Sequence, residues 1–450
     1  MPINLVEVLS HPLKEHTTEK TEVILALSGG LDSRVLLDIL QCYFSSRVSS
    51  ITAVHIHHGL SVKANLWAQK CASWCEDANV PLHVERVKLD NRRLSLEQAA
   101  RNARYQALGS YVGENAVLIT GHHSDDQTET FLLALKRGSG PKGLASMATC
   151  VDFGPGKMLR PLLHTSRQEI EEYAREKNLD WVHDKSNDDI RFDRNYLRHR
   201  VTPLLKRRWP HIQRAISRSA QLCAQQESVL SFFLRDELHQ AQQEDKGLSL
   251  IYLSKRPYAV RLQLIRFWLA QARVQMPSQR KLLMIWEQVA QAKREAKPRL
   301  RFGNHQIWRF NGALYCVALA EDLSPWRASI IPEQPRSLPS NVGYVMLTKQ
   351  RQPRKISNHI LRDSLSVIFN PDALKIRLNN QGAKTLSYWF YKHKIPLWEQ
   401  RRIPIFMSGT AVVSVGEIFI NQEFRGKDWS FIWEKSLPSH TQSIHAQRDD

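Results

Sequence analysis

Two short stretches carry side chains whose types and spacing suit chemistry on phosphate. The first is SGGLDS (28–33), which follows the apolar run EVILAL (22–27) and leads into an amphipathic run. Gly29 and Gly30 let the backbone approach a ligand closely. Successive N–H groups at a helix start form an anion nest with the helix dipole behind them. Ser28 and Ser33 add hydroxyls, and Leu31 opens the helical run. The turn lacks the lysine of the common phosphate loop, G-x-x-x-x-G-K-[ST]. Asp32 is out of place beside phosphate unless a divalent cation, Mg2+ above all, lies between them. The plain alternative is a strand-to-helix turn with a serine cap. The flanking runs and the Asp-Ser pair favour a nucleotide turn.

The second stretch is GHHSDDQTET (121–130). Adjacent carboxylates repel, so Asp125 beside Asp126 points to a bound cation or a basic ligand, the alternative being an acid-capped helix start. His122 and His123 could cap the strand or touch substrate. HIHHG (55–59) could suggest zinc, but no cysteine or carboxylate completes a ligand set at a familiar spacing. RGSGPKGL (137–144), with Arg137, reads as a flexible basic loop suited to closing over a charged substrate. LRPLLHTSRQEI (159–170) contains Arg160, and WVHDKSNDDIRFDRNYLRHRV (181–201) carries Arg191, Arg194, Arg198 and Arg200. Such arginines suit phosphate contacts that position a nucleic acid, or else a solvated basic helix end.

The elements that must hold these residues alternate. Strand-like runs lie at 22–28, 50–59, 81–89 and 116–121, and helical runs at 33–44, 65–79, 95–112 and 126–138. That alternation predicts an α/β fold, a parallel sheet covered on both faces. In such sheets ligands bind beyond the carboxyl ends of the strands, where both stretches fall. After Pro203 helical patterns take over (215–244, 259–272, 278–293). A hairpin then turns through Asn311-Gly312. The Pro- and Ser-rich stretch 321–340 makes a plausible linker, and the last hundred residues mix strand-like runs with one helix near 383–394. The expected domains are 1–210, 211–320 and 340–450.

The chain has 450 residues, too many for one ordinary core, and a formal net charge of +19. That excess predicts a polyanionic partner, nucleic acid before anionic membrane. The six cysteines, Cys42, Cys71, Cys75, Cys150, Cys223 and Cys316, form no C-x-x-C pair, as expected in a reducing compartment. The first twenty residues hold no apolar core of a signal sequence. No run approaches the ~18 apolar residues of a membrane span. A cytoplasmic protein without a membrane partner is expected.

Taken together, SGGLDS, HIHHGL, EQAARNARY, GHHSDDQTET, RGSGPKGL, RPLL, HDKSN and RNYLRHRVTPLL resemble, in order, the tRNA(Ile)-lysidine synthetase family of the N-type ATP pyrophosphatases. They cover roughly residues 22–205. KTLSYWFYKHKIPLWEQRRIPIF (384–406) is similar to that family's terminal domain, although Tyr388 and Trp389 stand where a basic residue is more usual, and Pro141 sits in the basic loop. The resemblance implies a PP-loop domain, a mainly helical middle domain and a small α+β C-terminal domain. It implies that Ser28, Gly29, Gly30, Leu31, Asp32 and Ser33 bind ATP, with Asp32 on Mg2+. Asp32, Asp125, Asp126, Arg104 and His122 would be catalytic, and His123, Arg137, Arg160, Arg194 and Arg198 would contact substrate or tRNA. Arg104 is preferred to Arg101 because the family's Arg-Tyr pair falls there.

The reaction so implied joins free L-lysine to the wobble cytidine of isoleucine tRNA through an adenylated cytidine, releasing AMP and pyrophosphate. The lysine ε-amine, with an ordinary pKa of about 10.4, must be desolvated or deprotonated. Asp125 or Asp126 could hold it. The basic tract TKQRQPRKISNHILR (348–362) is a candidate tRNA contact, and a homodimer is compatible with the resemblance. A tRNA thiolase of the same superfamily would need paired or catalytic cysteines. A passive RNA-binding protein would have no use for Asp32, Asp125 and Asp126.

Overall fold

The computed structural model describes residues 4–44, 50–59, 61–88, 96–272, 274, 276–293, 296, 298–349, 356–378 and 382–435. They fall into two compact units, Met1–Ser231 and Phe232–Asp450.

The first unit follows the predicted alternation. Its elements are α1 (Leu5–His16), β1 (Glu22–Ala26), α2 (Leu31–Phe44), β2 (Ile51–His57), α3 (Ala64–Asp77), β3 (Leu82–Arg86), α4 (Leu96–Gly109), β4 (Ala116–Ile119) and α5 (Ser124–Lys136). Then come α6 (Pro141–Leu144), β5 (Cys150–Phe153), β6 (Gly156–Leu159) and α7 (Arg167–Glu176). The sheet order is β3-β2-β1-β4-β6-β5, with every pairing parallel except β5 with β6. Both faces are buried, and alternate residues serve them. Val23 and Leu25 of β1 join Leu5, Leu9 and Leu13 of α1 and Val35 and Ile39 of α2. Ile24, between them, packs with Leu108 and Val112 on the opposite face. Strands buried on both sides read as continuous apolar runs, which is why the sequence reveals them.

β2 pairs on one side of β1 and β4 on the other, so successive connections leave β1 in opposite directions. Doubly wound sheets open a crevice at that switch, beyond the strand carboxyl ends. SGGLDS leaves β1 and GHHSDD leaves β4 there.

The unit closes with α8 (Asp193–Tyr196), a π-helical turn at Leu197–Val201, α9 (Thr202–Arg208) and the long α10 (Ile212–Ala241), which runs past the boundary between the units. The π turn has a sequence cause. Pro203 has no N–H to give the carbonyl of His199, so the regular α ladder cannot run through it.

In the second unit, helices at Leu250–Ser254, Tyr258–Gln271 and Gln279–Met284 accompany a four-stranded antiparallel sheet. Its central hairpin turns at Asn311 (φ 44°) and Gly312 (φ 78°), both left-handed as a two-residue turn of this hand needs. The expected C-terminal helix is Leu386–Lys392. The stretch 321–340 is not a free linker: Leu323, Ala328, Ile330 and Leu338 are buried in the C-terminal core, its prolines and serines marking turns between them. Residues 350–355 of the tract 348–362 lie outside the described residues; Asn358–Arg362 forms a 3-10 turn.

Candidate active site

The SGGLDS turn is held from within. Ser28 N–H donates to Ser33 Oγ (3.2 Å), Gly30 N–H to Ser28 Oγ (3.3 Å), and Ser33 Oγ–H to Gly30 O (3.0 Å). The two hydroxyls therefore shape the cradle, while the first-turn amides of α2 have no intrahelical acceptor. Gly29 has φ 86°, and a Cβ there would lie 3.2 Å from Cys71 Sγ of α3. From the other side, Val182 N–H donates to Gly29 O (2.9 Å), so the segment before HDKSN braces the turn. His55 Nδ1 lies 2.8 Å from Leu27 O and His57 Nε2 3.0 Å from Asn65 Oδ1, so these two histidines brace β1 and α3.

Asp32 lies at the switch. A Cβ on Gly121, at the end of β4, would fall 3.0 Å from Asp32 Cβ and 3.2 Å from its carbonyl carbon, so a bare glycine lets the two strand ends meet. Asp32 Oδ1 is buried and accepts no hydrogen bond, and burial pushes its carboxyl above the ordinary range despite the pull of His123 and Arg167. An ionised carboxylate with a dry, orphaned oxygen is what a cation beside phosphate would complete. Among the described residues no three His, Cys, Asp or Glu side chains gather into a metal cage, so such a cation would take its other ligands from phosphate and water. Mg2+ is commonly held that way.

His123 joins the two motifs. It caps α5, its Nδ1 accepting from Asp125 N–H (3.2 Å), while Asp126 Oδ2 accepts from His123 N–H (3.1 Å). With Nδ1 so engaged, Nε2 faces the carboxylates, 3.7 Å from Asp32 Oδ1 and 3.5 Å from Asp126 Oδ2. At 1% exposure His123 bridges carboxylates of the two motifs.

The adjacent carboxylates find basic partners within the chain. Lys206 of α9 donates to Asp125 Oδ1 (2.6 Å) and Arg167 N–H to Asp125 Oδ2 (3.1 Å). Burial would raise Asp125, yet Lys206 and the Arg167 amide hold it down at about 2. Arg198, on the π turn, donates to Asp126 Oδ1 (3.0 Å) and to both oxygens of Glu129 (2.7 and 3.1 Å). Arg194 Nε lies 3.0 Å from Glu129 Oε2, and its Nη2 donates to Thr130 Oγ1 (2.9 Å). Burial raises the carboxyl of Glu129 in spite of both guanidiniums; Asp126, also pushed up by burial, ends below its ordinary range because His123, Arg194, His122 and Arg198 outweigh it. Two carboxylates one helical turn apart are thus driven apart in proton affinity, the pattern that separates acid from base roles. Removing one partner from such a buried network costs about 3–5 kcal/mol.

Arg194 and Arg198, expected at phosphate contacts, hold Glu129 and Asp126, and Arg194 also borders a cavity. Arg160 is buried at 8% and donates to Ala148 O (2.7 Å), which ties β6 to the segment before β5. Arg137 is exposed, and with Arg101 and Arg194 it lines a cavity of about 280 Å3 beside Thr130 and Met147. Arg101, the less favoured arginine in the sequence, is the one that borders this cavity. Arg104 keeps contact with solvent. His122 is pushed down to about 4 by burial and so is neutral at pH 7; its Nδ1 lies 2.9 Å from Thr120 Oγ1. The reading of residue types missed Lys206 and the hub role of Glu129. The signal for Glu129 was complementary spacing, Asp126/Glu129 three apart on one helix and Arg194/Arg198 four apart downstream; Lys206 had none.

An α/β sheet with this glycine turn at its switch defines the PP-loop class, and the PP-loop domain profile matches residues 4–205. The TilS substrate binding domain profile matches residues 248–315 and the TilS substrate C-terminal domain profile residues 365–433. The tRNA(Ile)-lysidine synthase of Vibrio vulnificus strain YJ016 is 43% identical over 95% of this chain and 98% of its own. Those of Vibrio parahaemolyticus (42% identical, 96% and 100% covered) and Photobacterium profundum (40%, 95% and 99%) are similar over the same extent. The chain belongs to the tRNA(Ile)-lysidine synthase family.

Proposed function

We propose that the protein ligates free L-lysine to carbon 2 of the wobble cytidine of isoleucine tRNA, consuming ATP in two steps. In the first, the cytosine O2 attacks the α-phosphate and pyrophosphate leaves. In the second, the lysine ε-amine attacks carbon 2, the C2–O bond breaks and AMP leaves. Adenylation is needed because the carbonyl is a poor electrophile and its oxygen a poor leaving group.

The convergence of the SGGLDS turn and the Asp126–Glu129–Arg198 network at one switch point carries this reading. The cradle of Ser28–Ser33 receives the pyrophosphate end, which has no γ-phosphoryl to transfer and so no need of a P-loop lysine. Asp32 would hold Mg2+, which when bound supplies charge neutralisation to the leaving pyrophosphate. Asp125 is engaged by Lys206 and the Arg167 amide and Asp126 by Arg198 and the His123 amide, so either carboxylate would orient the lysine ε-amine by exchanging one of these partners. Arg101, Arg137 and Arg194 offer an anion subsite for the lysine carboxylate or the adenylate phosphate. The target base must leave the anticodon stack to reach this pocket.

The thiolase alternative gains nothing from the one close cysteine pair in the sequence: burial pushes Cys71 and Cys75 up to about 12 and 11, which disfavours the thiolate. Single-turnover mixing of ATP with isoleucine tRNA alone separates the steps. Pyrophosphate release that requires the tRNA and precedes lysine addition supports the adenylated cytidine; release that requires lysine but no tRNA contradicts it.

A further inference from the structure

The second unit contains a cavity of about 700 Å3 between the fold that carries the Asn311-Gly312 hairpin and the segment after helix Leu386–Lys392. That volume lies within the range of small-molecule sites. Phe310, Tyr315 and Trp398 all border it. Trp398 is their hub, with ring centroids 5.1 Å from Tyr315 and 5.8 Å from Phe310. Tyr315 is fixed by donating from its hydroxyl to Asp245 Oδ2 (2.7 Å), and Gly247 permits this closeness, since a Cβ there would lie 2.7 Å from the ring.

Two cations, Lys246 and Lys394, line the cavity together with two carboxylates, Glu399 and the Asp245 that holds Tyr315. Both lysines have left-handed backbones, φ 65° and φ 53°. Among the described non-glycine residues with positive φ they are the two lysines, and both line this one cavity. Lys394 sits where a helix ends, its N–H donating to Tyr391 O (3.1 Å) and that of Ile395 to Phe390 O (2.9 Å). Glycine or asparagine is the usual residue in that position. A lysine there spends conformational energy that the fold does not require, and such outliers gather at ligand sites.

Resting on the tRNA substrate proposed above, we infer that this cavity is a nucleotide site. An unstacked base would lie against the Trp398–Tyr315 rings, with its phosphate between Lys246 and Lys394. Aromatic faces with flanking cations bind single nucleotides of any sequence. The chemistry is shared by a nucleotide of the tRNA and by a free nucleotide, and the test separates them.

The test uses the full-length protein and the double variant Lys246→Asn/Lys394→Asn. Asparagine tolerates the left-handed backbone, so the thermal midpoint should hold or rise while the charge is lost. If the ligand is an RNA nucleotide, KM for isoleucine tRNA rises about tenfold, kcat and KM for ATP stay unchanged, and the salt slope of tRNA affinity falls by about 1–2. Trp398→Phe should keep most of the affinity and Trp398→Leu should weaken it about tenfold or more. If the ligand is free, equilibrium dialysis with AMP finds two sites per chain in the wild type and one in the double variant. Unchanged tRNA kinetics together with unchanged AMP stoichiometry overturn the site. A wild-type protein that fails to bind isoleucine tRNA defeats the proposed function instead, and the AMP arm then judges the cavity alone.

Discussion

Asp32 presents a carboxylate that the isolated fold does not satisfy. Its Oδ1 is buried without a donor, and burial raises its proton affinity. A carboxyl raised in the folded state binds more protons there than in the unfolded chain. Its ionisation therefore costs stability as pH rises above the ordinary carboxyl value of 3.8. Asp32→Asn should abolish lysidine formation yet raise the midpoint of thermal unfolding at pH 7 by about 2–4 °C, the equivalent of ~1 kcal/mol in a domain of this size. The gain should vanish below pH 3.8, where the carboxyl is protonated in both states. Calorimetry without nucleotide across that range checks the sign; a lower midpoint at pH 7 would show that Asp32 is already satisfied within the chain. Asp125 stands opposite. Held down at about 2 by Lys206 and the Arg167 amide, it contributes stability at neutral pH that is lost as pH falls through 4 toward 2.

At the scale of elements, the site depends on how closely α2 and the end of β4 approach. Gly121→Ala would put a methyl 3.0 Å from Asp32 Cβ and 3.3 Å from Ser33 N, so the helix start must yield. We expect a loss of ~1–3 kcal/mol in stability and at least about a tenfold weaker affinity for ATP, measured by calorimetry and nucleotide titration. Full ATP affinity in a folded Gly121→Ala protein would mean that the cradle does not rely on this contact. The strands, their carboxyl-end motifs and the hairpin were legible in the sequence because each is local: an apolar run, a glycine turn, an Asn-Gly pair. The partners of the acidic residues were not. Lys206 and Arg198 lie 81 and 72 residues from the carboxylates they engage, and nothing in residue type says that a basic helix end folds inward. Pro203 held a clue, since the lost N–H permits the π turn that carries Arg198, but only the fold shows where that turn faces. The burial of His123 and Arg160 was hidden for the same reason: residue type does not say how deeply a polar side chain of a motif lies.

For the whole molecule, a net charge of +19 is matched to a polyanion. Affinity for isoleucine tRNA should fall linearly in log–log form with salt, losing about 10³-fold or more between 50 and 200 mM if six or more phosphates are contacted. A flat profile in a filter-binding titration would contradict the polyelectrolyte contribution. No helix among the described residues is long and apolar enough to cross a membrane. Chemistry and RNA recognition meet only in turnover of the complete chain. The decisive measurement is therefore incubation of the full-length protein with isoleucine tRNA, ATP and labelled L-lysine. Label should enter the RNA at the wobble cytidine, one lysine per AMP and pyrophosphate released, with none in the Asp32→Asn protein. ATP cleavage without label in the RNA, or label at another nucleotide, would contradict the proposed reaction.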